Sequence, residues 1–252
     1  MTTNSKQIED CIYGESAVRT FFDLRNEDLI RLFVREGEQG RFKEILSECA
    51  RMKKLYRLVP NGDLDKLSKS KHHEGICAVT KPKRFKSLPT LISEYVDKFS
   101  GEPLVILDEV GNPHNIGSIM RNAAFFGFNR LILNTKSSIK LSGSLMRTSE
   151  GGGEYCSVGL SKSTAQLIEI LKEKKIKIVV SDLRAESSAV EEHYMQSPYA
   201  IVLGNEVSGV SNDLLKAADL KFKISGADKV QSLNVSVSAG IIFNEIFSWK
   251  NS

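Results

Sequence analysis

The chain has 252 residues, enough for one large domain or two smaller ones, each with its own hydrophobic core. Hydrophobic residues make up 41% and charged residues 26%, and no apolar run reaches the roughly 18 residues that a membrane-spanning helix needs, which argues against a membrane protein. A net charge of +4 does not by itself indicate nucleic-acid binding. The polar N-terminal sequence MTTNSKQIED lacks a signal-peptide pattern, so we expect a cytoplasmic protein.

The first 80 residues predict a small α/β domain. Val18, Phe21 and Phe22 share one face of a predicted helix, and the apolar run LIRLFV that follows is typical of a strand. A second helix is predicted around Ile45 and Cys49, and two further short strands are predicted at 56–59 and 75–79. Strands separated by helices favour a layered α/β sandwich over residues 1–80.

A short basic connector follows this domain. Residues 81–90, KPKRFKSLPT, carry four basic side chains and no acidic one, whereas the sequences on either side are nearly balanced in charge. Pro82 and Pro89 predict an exposed and partly extended linker over 81–99. Clustered positive charge is suited to a phosphate backbone, although a solvated linker explains the same charges.

The remaining residues, 100–252, predict a second α/β domain. Strands are predicted at 104–108, 130–134, 175–182 and 199–204, and they are apolar at nearly every position, as in a parallel sheet that is covered on both faces. Predicted helices alternate with these strands, and a long apolar helix over 235–249 ends the domain. The pattern indicates a doubly wound parallel sheet.

Polar residues cluster at three places in this domain, two of them directly after a predicted strand. The turn after Asp108 leads into NIGSIMR, in which Asn115 is a candidate helix N-cap and Arg121 lies within the predicted helix. The strand ending at Gly204 runs into GNEVSG, which contains Glu206. Since ligands of open parallel sheets bind at the carboxyl ends of the strands, these two turns predict a site.

The third polar cluster opens the C-terminal helix with the sequence SLNVS. Helix capping accounts for one of its polar residues but not for Ser232, Asn234 and Ser236 together. No GxGxxG fingerprint is present, which disfavours a dinucleotide-dependent oxidoreductase. The four cysteines form no CxxC pair and no histidine lies at ligand spacing from them, so no metal site is predicted.

Together, these three segments resemble the motifs of the SpoU (TrmH-type) family of SPOUT RNA methyltransferases. The family patterns Asn-x-Gly-x-x-x-Arg, Gly-x-Glu-x-x-Gly and Ser-Leu-Asn-Val-Ser correspond, in order, to 115–121, 204–209 and 232–236. The first 80 residues, with YGESAV early and HHEGICAV late, are similar to the RNA substrate-binding domain of the family. In the first block the histidines His72 and His73 fit this domain signature better than a catalytic base.

The resemblance implies a fold and an activity. The fold is an α/β catalytic domain over 100–252 with a deep C-terminal trefoil knot, one of the rare exceptions to unknotted topology, preceded by a small α/β substrate-binding domain. The activity is transfer of a methyl group from S-adenosyl-L-methionine to a ribose 2′-oxygen of a structured RNA, with rRNA favoured over tRNA. The family also implies a homodimer whose active site takes residues from both subunits.

The resemblance further implies roles for individual residues. It assigns the reaction to Arg121, Asn115, Glu206, Ser232 and Asn234. It places the cofactor against the backbone of Gly204, Ile224 and Leu233. Because arginine holds its proton throughout the physiological range, Arg121 is a poor base and is better suited to binding phosphate and stabilising a developing oxyanion.

The basic residues near the end of the first block and in the connector are candidate RNA contacts. They are Arg51, Lys53, Lys54, Lys81, Lys83 and Arg84. The alternative function is a non-catalytic RNA-binding protein that retains the SPOUT fold. That alternative predicts damaged motifs, whereas all five residues assigned to the reaction are present.

Overall fold

The computed structural model describes residues 9–185, 196–227 and 229–251. The chain divides into a first unit, which runs through Arg84 and includes 140–155, and a second unit made of 85–139 and 156–252. Residues 140–155, which were predicted in the second domain, group with the first unit.

The first unit is built on a four-stranded sheet in the order β1-β4-β2-β3. Its strands are β1 (Asp10–Tyr13), β2 (Leu29–Arg35), β3 (Leu55–Val59) and β4 (Ile76–Thr80). Its helices, numbered in chain order with those of the second unit, are α1 (Glu15–Arg25), α2 (Lys43–Arg51), α3 (Asn61–Ser68), α6 (Gly143–Thr148) and α7 (Gly152–Tyr155). A short 3-10 helix spans Asn26–Asp28. Strand β4 is antiparallel to β1 and β2, and β3 runs parallel to β2.

Hydrophobic periodicity explains the core of this unit. Val18, Phe21 and Phe22 of α1 are buried, as their helical spacing predicts. In β2, Leu32 and Val34 are buried on one face of the sheet and Phe33 is half-buried on the other. The predicted α/β character of the first block is therefore confirmed.

Segment 140–155 is held in the first unit by a buried ion cluster. The Glu154 side chain is 1% exposed, and its carboxylate accepts hydrogen bonds from Arg25 Nη2 at 3.0 Å and Arg25 Nε at 3.2 Å. Lys83 Nζ lies 3.4 Å from the same carboxylate and donates to the backbone oxygens of Gly153 and Glu154 at 2.7 Å. Glycine also permits close approach, since a Cβ at Gly143 would collide with the backbone of Cys11.

The second unit is built on a six-stranded sheet in the order β10-β8-β9-β5-β6-β7. Its strands are β5 (Leu104–Asp108), β6 (Arg130–Asn134), β7 (Ser157–Ser161), β8 (Lys177–Ser181), β9 (Tyr199–Gly204) and β10 (Leu220–Phe222). Its helices are α4 (Leu88–Asp97), α5 (Pro113–Phe125), α8 (Thr164–Glu173), α9 (Asn212–Ala217) and α10 (Val235–Lys250). Every strand pair is parallel. The predicted parallel sheet is thus confirmed.

The stretch predicted as a linker is only partly irregular. From Leu88 onward it forms α4, whose Leu91, Ile92 and Tyr95 are buried in the core of the second unit. Ser87 caps this helix by accepting from the Thr90 N–H, and Pro89 lies in the first turn, where its missing N–H costs nothing. Pro89 was interpreted as a sign of an extended linker, but proline is also favoured in the first turn of a helix.

The cysteines are free thiols in both units. Cys49, Cys77 and Cys156 are buried and Cys11 is half-buried. Burial raises the pKa of the Cys49 thiol to about 11, so this thiol stays protonated and unreactive at neutral pH. Among the described helices, none has the length and apolar content needed to cross a membrane.

The Glu154 cluster generates a stability prediction. Replacement of Glu154 by Gln should lower the free energy of unfolding by about 3 kcal/mol, because the partly buried Arg25 and Lys83 would lose the buried carboxylate that they share. Urea unfolding followed by circular dichroism measures this loss. Glu44→Gln is the control, since that carboxylate is 92% exposed beside Arg19 and its loss should change stability by less than about 0.5 kcal/mol. Equal stability of the two variants would contradict a structural role for Glu154.

Candidate functional site

Two neighbouring strands of the six-stranded sheet position the residues of the predicted site. Strands β5 and β9 are paired in parallel, with Asp108 in register with Gly204 at their carboxyl ends. The turns that follow the two strands therefore emerge side by side at one edge of the sheet. The first turn leads into α5, which contains Asn115, and the second turn contains Glu206.

Residues from all three sequence motifs meet in one hydrogen-bonded chain. Asn234 Nδ2 donates to Asn115 Oδ1 at 3.1 Å, and Asn115 Nδ2 donates to Glu206 Oε1. Asn115 is buried, whereas Glu206 and Asn234 are exposed. The chain thus runs from a buried amide to an exposed carboxylate that has a second oxygen available.

Helix capping positions one member of this chain. Asn234 is the N-cap of α10, and its Oδ1 accepts from the Ser236 N–H at 2.9 Å and from Ser236 Oγ at 2.6 Å. The expectation that Asn115 caps α5 is wrong, because Asn112 performs that function by accepting from the His114 N–H at 2.9 Å. Pro113 occupies the first turn, so α5 begins before Asn115 and turns that amide inward.

The turn that carries Glu206 is held at both ends. Asn205 and Gly209 exchange backbone hydrogen bonds of 3.1 and 2.9 Å. The Asn205 side chain accepts from the Val207 N–H at 2.9 Å and donates to the Glu109 carbonyl at 3.0 Å. Asn205 is a positioning residue that the sequence analysis missed, although an asparagine directly after a strand is a known turn signal.

The buried carboxylate of Asp108 stabilises the same carboxyl edge of the sheet. Asp108, which is 1% exposed, accepts hydrogen bonds from Asn134 Nδ2 at 2.6 Å and from the Ser211 N–H at 2.7 Å. These bonds tie β5 to β6 and to the loop after β9. The sequence indicates this anchoring role, because Asp108 is an ionisable residue at the end of an otherwise apolar strand.

Arg121 and Ser232 stand apart from the hydrogen-bonded chain. Arg121 lies six residues after Asn115, about 240° around the helix, and is exposed. Within the described part of the chain, Arg121 forms no hydrogen bond or ion pair, and the same holds for Ser232. The structure therefore brings together Asn115, Glu206 and Asn234, and it leaves Arg121 and Ser232 free to bind a ligand.

The backbone expected to hold the cofactor has unused hydrogen-bonding groups. Gly204 and Ile224 are half-buried, and Leu233 is exposed. Residues 224–227 and 229–233 form no hydrogen bond with the described parts of the chain. Such groups suit a ligand with polar edges. Among the described residues, no group of three or more His, Cys, Asp or Glu side chains could hold a metal ion.

The six candidate RNA-binding cations of the first unit have different surroundings. Lys83 faces Glu154, and Lys54 donates to the carbonyls of Glu27 and Leu29 at 3.2 and 2.6 Å, so both support the fold. Arg51 and Lys81 pair with Glu48 and Asp28 at the surface. Lys53 and Arg84 are exposed and have no such partner in the described chain.

His73 is the buried histidine of the HHEG sequence, and its contacts are structural. Its Nε2 lies 3.0 Å from Asp65 Oδ1, and its Nδ1 accepts from the Gly75 N–H at 3.0 Å. Both ring nitrogens are therefore occupied, which agrees with the non-catalytic interpretation.

Comparison with known families agrees with the resemblance found in the motifs. Residues 102–244 match the profile of the SpoU rRNA Methylase family, and residues 11–86 match that of the RNA 2′-O ribose methyltransferase substrate-binding domain. The first match contains Asn115, Arg121, Glu206, Ser232 and Asn234.

Individual relatives match over most of the chain. An uncharacterized tRNA/rRNA methyltransferase of Escherichia coli O157:H7, YfiF, is 28% identical over 94% of this chain, which spans 67% of the length of YfiF. A protein of Bacillus subtilis named as a TrmH family tRNA/rRNA methyltransferase, YacO, is 27% identical over 97% of this chain and 98% of its own length. The AdoMet-bound rRNA methyltransferase of Sinorhizobium meliloti has a similar fold, with a TM-score of 0.78 at 20% identity over 94% of this chain and 86% of its own.

The capping role of Asn234 generates a testable prediction. Asn234→Ala should lower the free energy of unfolding by about 1 kcal/mol, because the Ser236 N–H at the start of α10 loses its acceptor. Asn234→Ser keeps a capping oxygen and should stay within about 0.5 kcal/mol of the original chain. Urea unfolding of both variants checks the difference. If Ala and Ser are equally tolerated, capping is not the structural role of Asn234.

Proposed function

Because the chain belongs to the SpoU rRNA methylase family and is an RNA methyltransferase, we propose that it methylates a ribose 2′-oxygen of a structured RNA, with rRNA favoured over tRNA. One observation carries the proposal: the Asn234–Asn115–Glu206 hydrogen-bonded chain joins all three motifs at the carboxyl edge of β5 and β9. An RNA-binding protein without catalysis has no need to hold these side chains together.

The obstacle in this reaction is the weakly nucleophilic ribose hydroxyl. S-adenosyl-L-methionine, when bound, supplies a methyl group on a positively charged sulfur, so the leaving group needs little assistance. Glu206 is held by Asn115 through one carboxylate oxygen, and its second oxygen can accept the hydrogen bond of the 2′-hydroxyl. Asn115, Asn234 and Ser232 orient the nucleotide. The methyl group would pass from the sulfur of the bound cofactor to the ribose 2′-oxygen, and the hydroxyl proton would pass to the Glu206 carboxylate, which can return it to solvent.

Arg121 has the charge and the freedom that this reaction requires. Its guanidinium carries a fixed positive charge with several donors, which suits a phosphate of the target nucleotide and the negative charge that develops on the attacking oxygen. It forms no hydrogen bond or ion pair within the described residues that would have to break first. It acts in electrostatic stabilisation rather than as a base.

The cofactor site lies in the C-terminal segments after β9 and β10. The backbone at Gly204, Ile224 and Leu233 borders the cofactor, and the unused groups of 224–227 and 229–233 support this assignment. The chain forms the deep trefoil knot of the family in this region. A Cβ at Gly204 would collide with the Gly209 carbonyl, so glycine allows the Glu206 turn to close against the end of β9.

The substrate class follows from the domain organisation. The match to an RNA 2′-O ribose methyltransferase substrate-binding domain supports ribose as the position of methylation. The family whose profile matches residues 102–244 is described as rRNA methylases, which supports rRNA as the substrate. We assign 1–80 to substrate binding and 100–252 to catalysis.

Exposed apolar residues on α5 and α10 support a homodimer. These helices pack together, with Asn122 Nδ2 donating to the Ser236 carbonyl at 2.9 Å. Phe125 is 81% exposed on the same face of α5 as Arg121, and Ile241 is 40% exposed on α10. A second copy that covers Phe125 and Ile241 would bring Arg121 to the interface, so that the active site takes residues from both subunits.

The activity is tested by transfer of a labelled methyl group from S-adenosyl-L-methionine to total RNA from a strain that lacks the gene. Arg121→Ala should lower the transfer rate at least about 100-fold while cofactor binding persists, because stabilisation of the developing charge is lost. Lys172→Ala, a change on the exposed face of α8, should leave the rate unchanged.

Alkaline hydrolysis of the product RNA tests the position of the methyl group. A methylated ribose cannot assist cleavage of the adjacent phosphodiester, so the label should appear in alkali-stable dinucleotides. Label in mononucleotides would contradict ribose methylation. Absence of both transfer and cofactor binding would favour the RNA-binding alternative.

The homodimer is tested by analytical ultracentrifugation. Ile241→Glu should shift the chain from dimer to monomer at micromolar concentration, because a charge would be buried in an apolar interface. Leu24→Glu, at an exposed apolar position of the first unit, should remain dimeric. A monomeric original chain at all concentrations would overturn the proposal.

A further inference from the structure

Strand β3 is an uncovered edge of the first unit. It is the last strand in the order β1-β4-β2-β3, and only β2 pairs with it among the described strands. Leu55 is 69% exposed and Tyr56 is 45% exposed, although both residues belong to types that favour burial. Edge strands of this kind are usually protected, because their unpaired backbone groups invite association. The exposure of β3 therefore needs an explanation.

Like charges are gathered on one face of this edge. Arg57 is in register with Phe33 of β2, so it lies on the same face as Arg31 and Arg35, the positions two residues before and after Phe33. Diagonal neighbours of this kind are close enough to interact, and like charges there disfavour folding. A functional role would explain why three arginines occupy these positions.

Arg57 differs from its two neighbours in having no countercharge. Arg31 pairs with Glu9 at 2.5 Å, and Arg35 contacts Glu38 and Asn61. In the described part of the chain, Arg57 makes no ion pair or hydrogen bond. Its guanidinium is therefore available to a negatively charged partner.

Helix α3 covers only part of this face. Its Leu64 and Leu67 pack with Phe33 and Val59 toward the end of β3. The start of the strand, with Leu55 in register with Arg31, stays open to solvent. Tyr56 is in register with Leu32, so its exposed ring lies on the opposite face of the same edge strand from Arg57. Lys53 lies two residues before the strand and has no partner in the described part of the chain. We use the term β3 surface for Arg31, Lys53, Leu55, Tyr56 and Arg57.

We propose that the β3 surface binds an unpaired segment of the substrate RNA that runs along the strand edge, with Arg57 on a phosphate at one face of the sheet and the Tyr56 ring stacked against a base at the other. The proposal rests on the proposed function and identifies where the first unit holds its substrate. Cations and an exposed aromatic ring on one edge strand supply the phosphate and stacking contacts that bind single-stranded nucleic acid without a strict sequence preference. A second copy of the chain is a poorer occupant, because it would bring another set of arginines to the same edge.

Fluorescence anisotropy with the full-length protein tests this surface. The probes are a labelled 12-nucleotide single-stranded RNA of mixed sequence and the same strand annealed to its complement. Tyr56→Ala should weaken binding of the single strand about tenfold, whereas Tyr56→Phe should bind normally because its ring still stacks. Arg57→Gln should weaken binding and reduce the slope of log affinity against log salt by about 0.7. Lys172→Gln is the charge-matched control and should change neither property.

Methyl transfer to total RNA is measured on the same variants to separate the two proposals. Normal cofactor binding and transfer in the original chain, with weaker RNA binding in Tyr56→Ala and Arg57→Gln only, would support the β3 surface. Unchanged RNA binding in both variants, equal loss in the Lys172→Gln control, or preference for the duplex would overturn it while the proposed function stands. If the Arg57→Gln variant is monomeric where the original chain is dimeric, the β3 edge contacts a second copy of the chain instead of RNA. Failure of the original chain to transfer methyl groups at all would overturn the proposed function itself.

Discussion

The parallel pairing of β5 with β9 is the constraint on which the candidate site depends. Because Asp108 and Gly204 end their strands in register, the turn into α5 and the Glu206 turn leave the sheet next to each other. This arrangement allows the hydrogen bond between Asn115 and Glu206. Asn234 then joins from the start of α10, so that three segments far apart in sequence share one hydrogen-bonded chain.

Asp108 and Asn205 stabilise this arrangement, although neither belongs to the Asn234–Asn115–Glu206 hydrogen-bonded chain. Asp108 is buried and ties β5 to Asn134 of β6 and to the loop after β9. Asn205 closes the Glu206 turn from both sides. Preorganisation of this kind suits the proposed methyl transfer, whose main difficulty is the alignment and charge of one hydroxyl. In contrast, Arg121 forms no hydrogen bond or ion pair within the described residues, so its guanidinium is available to a ligand.

The first unit shows how the same kind of charge serves different purposes. Lys83 belongs to the basic connector that the sequence analysis assigned to RNA, yet it faces the buried Glu154. Lys54 binds backbone carbonyls. Arg57, on an exposed edge strand between two other arginines, has no partner among the described residues. Net charge per segment does not separate these cases, because only the position of each countercharge decides which cation is free.

The sequence alone determined the α/β character of both blocks and the parallel sheet, because hydrophobic periodicity is a local property. It also indicated Asn115, Glu206 and Asn234 as candidate site residues, because their motifs are short and local. It misjudged the second half of the linker, where Pro89 begins α4, and the cap of α5, where Asn112 replaces Asn115. Residues 140–155, which were predicted in the domain over 100–252 and lie within the family match over 102–244, group with the first unit in the structure. Only the tertiary structure decided these points, and only it separated the hydrogen-bonded Asn115 from the free Arg121. The physical reason is that a buried ion pair such as Arg25 with Glu154 joins residues 129 positions apart, and no local pattern records which distant partner satisfies a charge.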